Sequence, residues 1–162
     1  MRGFTIFISG ILVGLVVQMA FAQIQDNNSG SGILELNHVG IAVPDLGEAV
    51  SYYEDTLGFP EAFRVENAEG EAALVYMQVS ATTFVELQPA NENRPAGLNH
   101  FGLQVEGMDA VRDAFIARGA EVSEIRSGST KAILSNLTEL NGHRIELSEY
   151  PSDSLQGQFL GL

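Results

Sequence analysis

The chain contains no cysteine in its 162 residues, and only eight lysines and arginines against 21 aspartates and glutamates. The missing cysteine excludes disulfides, and it excludes the thioether anchor of a bacterial lipoprotein. The shortage of basic residues leaves a formal charge of −13. Such a surface repels nucleic acid and anionic lipid, so neither is an expected partner. A third thing in short supply is unbroken apolar length. The longest apolar run, Phe4–Val17, falls short of the roughly 20 residues a spanning helix needs, and no lysine/arginine cluster follows it.

What stands around that run is informative. Residues 1–22, MRGFTIFISGILVGLVVQMAFA, combine a basic start at Arg2, the apolar stretch and small residues at Ala20 and Ala22. That is the layout of a secretory signal peptide cut after Ala22, implying a secreted, periplasmic protein with no membrane attachment after cleavage. Removing Arg2 leaves seven basic residues against 21 acidic ones. Residues 23–33, with DNNSGSG at 26–32, read as a flexible linker, and 152–162 as a C-terminal tail with room for one short helix.

The region between carries one pattern twice. LNHVGIAV (36–43) is answered by LNHFGLQV (98–105), and FVEL (84–87) by RIEL (144–147). His38 and His100 are 62 residues apart, Gly58 and Gly119 are 61, and Glu86 and Glu146 are 60. An offset this constant indicates a tandem repeat, with modules 34–90 and 97–151 joined by the turn-rich PANENRPAG. Each module reads as strand, helix and three strands. Asp45 with Glu48 has capping-box spacing; Val50, Tyr53 and Leu57 form the apolar stripe of a helix that Gly58 ends. The second helix covers 108–118. The strands of module one are expected near 34–43, 61–66, 72–79 and 82–88. Those of module two fall near 98–106, 121–126, 132–138 and 144–149, with Asn141-Gly142 turning the last hairpin and His143 a turn residue. The fold class is α+β: two tandem βαβββ modules forming a curved, half-open sheet around a central cavity.

Strand side chains alternate between faces, so Val39, Ile41 and Val43 turn toward their helix while His38 and Gly40 turn away. The same parity puts His100, Glu86 and Glu146 on the non-helix face. If the modules pack about a pseudo-twofold axis, two imidazoles and two carboxylates converge. That donor set suits one divalent cation and leaves positions open for substrate. Gly40 and Gly102 are expected to keep the cavity floor clear.

These stretches resemble the vicinal oxygen chelate superfamily, shared by glyoxalase I, methylmalonyl-CoA epimerase, extradiol dioxygenases and bleomycin-binding proteins. The carrying segments are HVGIAVPDLGEAVSYYEDTLGF (38–59) and NGHRIELSE (141–149). The resemblance implies metal ligands at His38, Glu86, His100 and Glu146, holding one divalent ion (Ni, Co, Zn, Mn or Fe). It also implies that Glu146 and Glu86 double as catalytic bases. A four-ligand set is most similar to glyoxalase I and the epimerase, which implies proton abstraction next to a metal-polarised carbonyl. The leading expectation is an exported glyoxalase I-like lyase or isomerase acting on a small oxygenated molecule. The alternatives are an epimerase-like or extradiol-dioxygenase-like enzyme, or a non-catalytic protein that sequesters a small molecule such as an antibiotic. Arg144, Lys131, Arg64 and Arg126 are the candidates for substrate binding. Arg144 is best placed because alternation sets it on the Glu146 face. The modules can pair within one chain or across a homodimer.

Overall fold

The computed structural model describes residues 31–162. The expected signal peptide and most of the linker before residue 33 lie outside them. Eight strands form one sheet: β1 (Ile33–Val43), β2 (Glu61–Glu66), β3 (Ala72–Gln78), β4 (Phe84–Pro89), β5 (Gly97–Val105), β6 (Arg126–Ser127), β7 (Ile133–Thr138) and β8 (Arg144–Glu149). Their order is β2-β3-β4-β1-β5-β8-β7-β6, so the second module lays its strands out in the reverse order of the first. β1 runs parallel to β4 and β5 parallel to β8, while β1 and β5 pair antiparallel at the centre. The two βαβββ modules therefore close on each other within one chain, in a curved mixed half-barrel.

The helix of each module covers the convex face. Helix α1 (Leu46–Ser51) starts as its sequence requires, with the Asp45 carboxylate accepting from the Glu48 N–H at 2.9 Å. It does not stay α-helical to Gly58. Residues Tyr52–Thr56 widen into a π turn, with the Leu57 N–H reaching back to the Tyr52 carbonyl at 3.2 Å. The extra residue rotates the last turn. Tyr53 stays on the core under β1, β3 and β4, but Leu57, expected in the same stripe, is 41% exposed. Phe59 takes its place beyond Gly58, whose φ of +72° reverses the chain.

Helix α2 (Met108–Ala117) packs Met108 and Val111 onto Val105 and Leu147. The Glu149 carboxylate accepts from the Met108 N–H at 2.7 Å, so an acid on β8 satisfies one of the orphan donors at the helix start. The strand expected over 121–126 is largely absent. Val122 makes a single bridge to Leu137, and the ladder resumes only at β6. The cause is local: the Ser123 N–H still donates to the Asn136 carbonyl, but the Ser123 hydroxyl accepts from the Asn136 N–H at 2.8 Å and the Ser135 hydroxyl donates to the Ser123 carbonyl, so side chains take over the rest of the ladder.

The tail forms helix α3 (Leu155–Leu160), capped by Ser154, whose hydroxyl accepts from the Gly157 N–H at 2.9 Å. It lies across the concave side. Leu160 packs on Leu74, Tyr76 and Phe84 of the first module and on Ala132, Leu134 and Tyr150 of the second. Phe159 adds ring contacts with Phe63 and Phe84. This segment therefore ties the two modules together.

Candidate metal centre and cavity

The central strand pair determines where the histidines stand. His38 on β1 lies opposite Gly102 on β5, and His100 lies opposite Gly40. A Cβ on Gly40 would overlap the His100 ring, and one on Gly102 the His38 ring. The glycines do more than keep a floor clear: each is the slot in which the neighbouring strand's imidazole lies. The rings meet edge to face, with their Nε2 atoms 3.1 Å apart.

Two irregularities complete the arrangement. The pairing register between β1 and β5 skips one residue between Leu36 and His38, and one between His100 and Leu98. The skipped residues are Asn37 and Asn99. A bulge breaks the two-residue alternation and re-aims a side chain. Here it brings an asparagine carbonyl to the Nδ1 of its own histidine, at 3.3 Å for His38 and 3.0 Å for His100. An Nδ1–H donated to that oxygen leaves the Nε2 lone pair free to bind a metal. Asn37 is fully buried and held in turn by the Tyr150 hydroxyl, which donates to its Oδ1 at 2.6 Å, and by the Thr82 carbonyl, which accepts from its Nδ2.

Strands β4 and β8 flank this pair and supply the carboxylates. Glu86 stands 3.8 Å from the His38 Nε2 and 3.9 Å from the His100 Nε2; Glu146 stands 3.7 and 4.0 Å from them. All four side chains are buried, and one donor atom from each lies within 4.8 Å of every other. The donor chemistry fits a divalent cation. Two neutral imidazoles and two carboxylates carry −2, and bonds of about 2.1 Å to one centre place neighbouring donors roughly 3–3.5 Å apart. The imidazoles stand 3.1 Å from each other and 3.7–4.0 Å from the carboxylates, and the whole set lies within 4.8 Å. Burying two carboxylates costs several kcal/mol per ion unless charge compensates, and a dication compensates both. Burial pushes the His100 imidazole down to about 3, so it stays neutral, as a ligand must be.

The two carboxylates differ in their other partners. Glu86 accepts from the Tyr76 hydroxyl and from Gln88, which in turn accepts from Arg94. Burial raises its proton affinity above that of an ordinary carboxylate. Burial acts on Glu146 in the same direction, but its hydrogen bond with His38 and the nearby charges hold it below the usual carboxylate range. Arg126 reaches the Glu146 carboxylate at 3.3 Å, and the Ser148 hydroxyl lies 3.4 Å away.

The centre opens into a cavity of about 670 Å³, lined at this end by Glu86, Glu146, Tyr76 and Asn99. Of the four basic residues expected near substrate, Arg144 and Arg126 line it. Arg144 donates to Asn99 Oδ1 at 2.5 Å and stands 2.8 Å from His100 Nδ1. The structure places Arg64 and Lys131 elsewhere. Arg64 pairs with Glu61 and Lys131 with Asp153, and both line smaller pockets outside this cavity. Arg94, in the inter-module linker, lines the cavity and was not anticipated; neither were Gln88 and Gln156. Arg94 is held by the Asn91 turn and by the Pro89 carbonyl at 2.8 Å, so the linker is a built wall of the site.

A half-barrel of paired βαβββ modules with a buried two-histidine, two-glutamate centre defines the class, and sequence comparison agrees. Residues 37–133, more than half of the chain, match the Glyoxalase/Bleomycin resistance protein/Dioxygenase superfamily. The chain belongs to that superfamily. Among curated proteins it is similar to an ethylmalonyl-CoA/methylmalonyl-CoA epimerase of Cereibacter sphaeroides. They are 28% identical over 131 residues, covering 70% of this chain and 96% of that one. The mitochondrial methylmalonyl-CoA epimerase of Mus musculus is 26% identical over 63% of each chain. Among solved structures, a selenomethionine methylmalonyl-CoA epimerase is 30% identical with a TM-score of 0.62, covering 74% of this chain and 97% of that one. The epimerase from Mycobacterium tuberculosis shares the fold at a TM-score of 0.64, with 24% identity and coverage of 75% and 92%.

Proposed function

We propose that the protein is a metal-dependent isomerase that moves a proton at the carbon next to a substrate carbonyl, in the manner of an epimerase. The observation that carries this is the placement of Glu86 and Glu146 on opposite sides of one histidine pair, at the head of a single cavity. His38, His100, Glu86 and Glu146 would hold one divalent ion, which supplies polarisation of the substrate carbonyl oxygen. The chain's own groups do the rest. Glu146, paired with Arg126, is the ionised acid and takes the α-proton. Glu86, held by Tyr76 and Gln88, stands on the other side as the carboxylate through which a proton returns. One proton leaves and one arrives, so the product is the inverted epimer with no redox change. Arg144 and Arg94 offer donors to an anionic acyl group. Malonyl-type thioesters are the first candidates, a reading supported by relatives named as epimerases of ethylmalonyl-CoA and methylmalonyl-CoA.

The test is solvent exchange. The zinc- or cobalt-loaded protein in deuterium oxide should place deuterium at the α-carbon of methylmalonyl-CoA, and Glu146→Gln or Glu86→Gln should cut that rate by 10² or more. A protein that binds the metal yet exchanges no α-hydrogen refutes the reading. The lyase reading of glyoxalase type uses the same carboxylates for a proton shift between adjacent carbons, and the hemithioacetal of methylglyoxal and glutathione is the second substrate assayed. Residues 1–22 are proposed to direct export; the exported protein should then begin at Gln23 by N-terminal sequencing, and an intact Met1 end would refute that.

A further inference from the structure

The C-terminal helix presents Gln156 to the cavity, and among the described residues none pairs with its Oε1. Gln156 is 1% exposed and lines the same space as Glu146 and Arg144, yet its Oε1 has no hydrogen-bond partner. Leaving a buried amide unpaired costs about 1–3 kcal/mol, so its retention at this position calls for an occupant that pairs with it. Its placement is also over-determined. Ser154 caps the helix and donates to the Pro151 carbonyl at 2.7 Å, the Leu155 N–H donates to the Thr130 carbonyl at 2.9 Å, and Leu160 is packed against both modules. A Cβ on Gly157 would strike the Pro151 carbonyl, so the helix is pressed as close to the end of β8 as backbone allows. Gln156 is thus fixed in position before any ligand arrives, which is what selective recognition requires. A second orphan lies on another wall: the Nε of Arg144 is buried without an acceptor.

We infer that Gln156 is a specificity-determining residue, and that with Arg144 it selects a hydroxylated acyl or carboxylate substrate over its alkyl counterpart. The inference deepens the isomerase reading and rests on it for the site's chemistry. Arg144 Nε is a donor and takes a carboxylate or carbonyl oxygen. A hydroxyl can donate to the Gln156 oxygen or accept from its NH₂, so it satisfies the amide in either orientation; a methyl group satisfies neither. A site that hydrogen-bonds a substrate hydroxyl rejects the analogue that lacks one far more strongly than an apolar pocket rejects an added methylene.

The probes are 2-, 3- and 4-hydroxybutyrate and butyrate, titrated against zinc-loaded wild-type protein and Gln156→Leu by calorimetry or ligand-observed NMR. At least one hydroxybutyrate should lose about tenfold or more in affinity on Gln156→Leu, while butyrate stays within twofold or tightens. Comparing each probe across the same substitution cancels any direct chelation of the metal by the hydroxyl. Gln156→Met, unbranched and close in volume, should reproduce the result. The inference is overturned if every hydroxybutyrate changes in parallel with butyrate, or if wild type binds none of the four. Metal content is read separately by elemental analysis. A protein that holds neither zinc nor cobalt refutes the metal-dependent isomerase reading, and the Gln156 coupling is then measured on the metal-free chain.

Discussion

Gly40→Ala changes no ligand, yet it should disable the metal centre. The new methyl would overlap the His100 ring, and even the far Nε2 atom would stand only 2.8 Å from it. Ordinary carbon contacts lie near 3.5 Å, so the nitrogen must retreat by roughly 0.7 Å. Metal–ligand distances tolerate about ±0.2 Å. The ring cannot swing aside at constant geometry either, because Asn99 and Arg144 hold its Nδ1 side. Overpacking of this kind costs on the order of 1–3 kcal/mol, a fall in Tm of about 5 °C for a domain of this size. Metal affinity should fall at least 10–100-fold, the range seen when outer-shell support is lost. Cobalt titration followed by the d–d absorption, with a thermal melt on the same samples, reads both quantities. Cobalt affinity within threefold of wild type would mean that His100 does not lie across Gly40, and the β1–β5 register described above would be wrong.

Other perturbations separate the parts of the site. Tyr150→Phe removes the donor to Asn37 Oδ1; it should cost about 1 kcal/mol of stability and weaken zinc binding about tenfold, by denaturant melts and zinc titration. Adding zinc to chelator-treated protein at a hundredfold over its dissociation constant should stabilise the fold by about 2.7 kcal/mol, and an unchanged Tm would refute the site. Gly157→Ala drives a methyl into the Pro151 carbonyl and should destabilise by about 1–3 kcal/mol; a neutral outcome would mean that α3 is not seated as described. At the β7–β8 turn, the backbone N–H groups of Asn141 and His143 hold the Glu139 carboxyl down at about 2 against an ordinary 4.5. A depressed folded value stabilises above the unfolded one. That contribution is complete above about pH 4.5 and disappears as the pH falls through 2. Carboxyl NMR should place the Glu139 midpoint near 2, with Glu139→Gln abolishing the transition.

The convergence of these four side chains was legible because they lie where strand alternation holds. His38, Glu86, His100 and Glu146 share a parity within their strands, and the repeated LNH and EL segments fix equivalent positions in the two modules. What surrounds them was not legible by that rule. Asn37 and Asn99 stand directly before the histidines in both octapeptides, and alternation assigns them to the opposite face; the bulges overturn it, and the duplicated asparagine was the available signal. Arg94 and Gln156 lie in a linker and a tail, where no periodicity reports direction. Arg64 and Lys131 were drawn toward substrate by charge alone, and each has a nearer acid. The burial expected of Leu57 failed for another reason: an inserted π turn leaves composition untouched and shifts the apolar stripe by one residue.

The symmetry of the site is incomplete, and the break follows the division of labour proposed for it. Histidines, facing glycines and bulged asparagines are all paired across the module axis, as holding an ion at the centre requires. The groups around the two carboxylates are not paired. Tyr76 stands on Glu86 where the second module has Asn136 opposite Glu146, and Arg126 reaches Glu146 where the first module offers Glu86 only the neutral Gln88. Equal environments would give two acids equal proton affinities, and neither would be poised to give while the other takes. Removing each partner in turn is therefore a sharper probe than removing the carboxylates themselves. Arg126→Gln should leave metal stoichiometry intact while slowing α-proton removal, and Tyr76→Phe should leave removal intact while slowing proton return. Deuterium exchange measured separately from epimer formation distinguishes the two. If both variants slow both steps equally, the carboxylates do not have distinct roles, and the asymmetry around them is only packing.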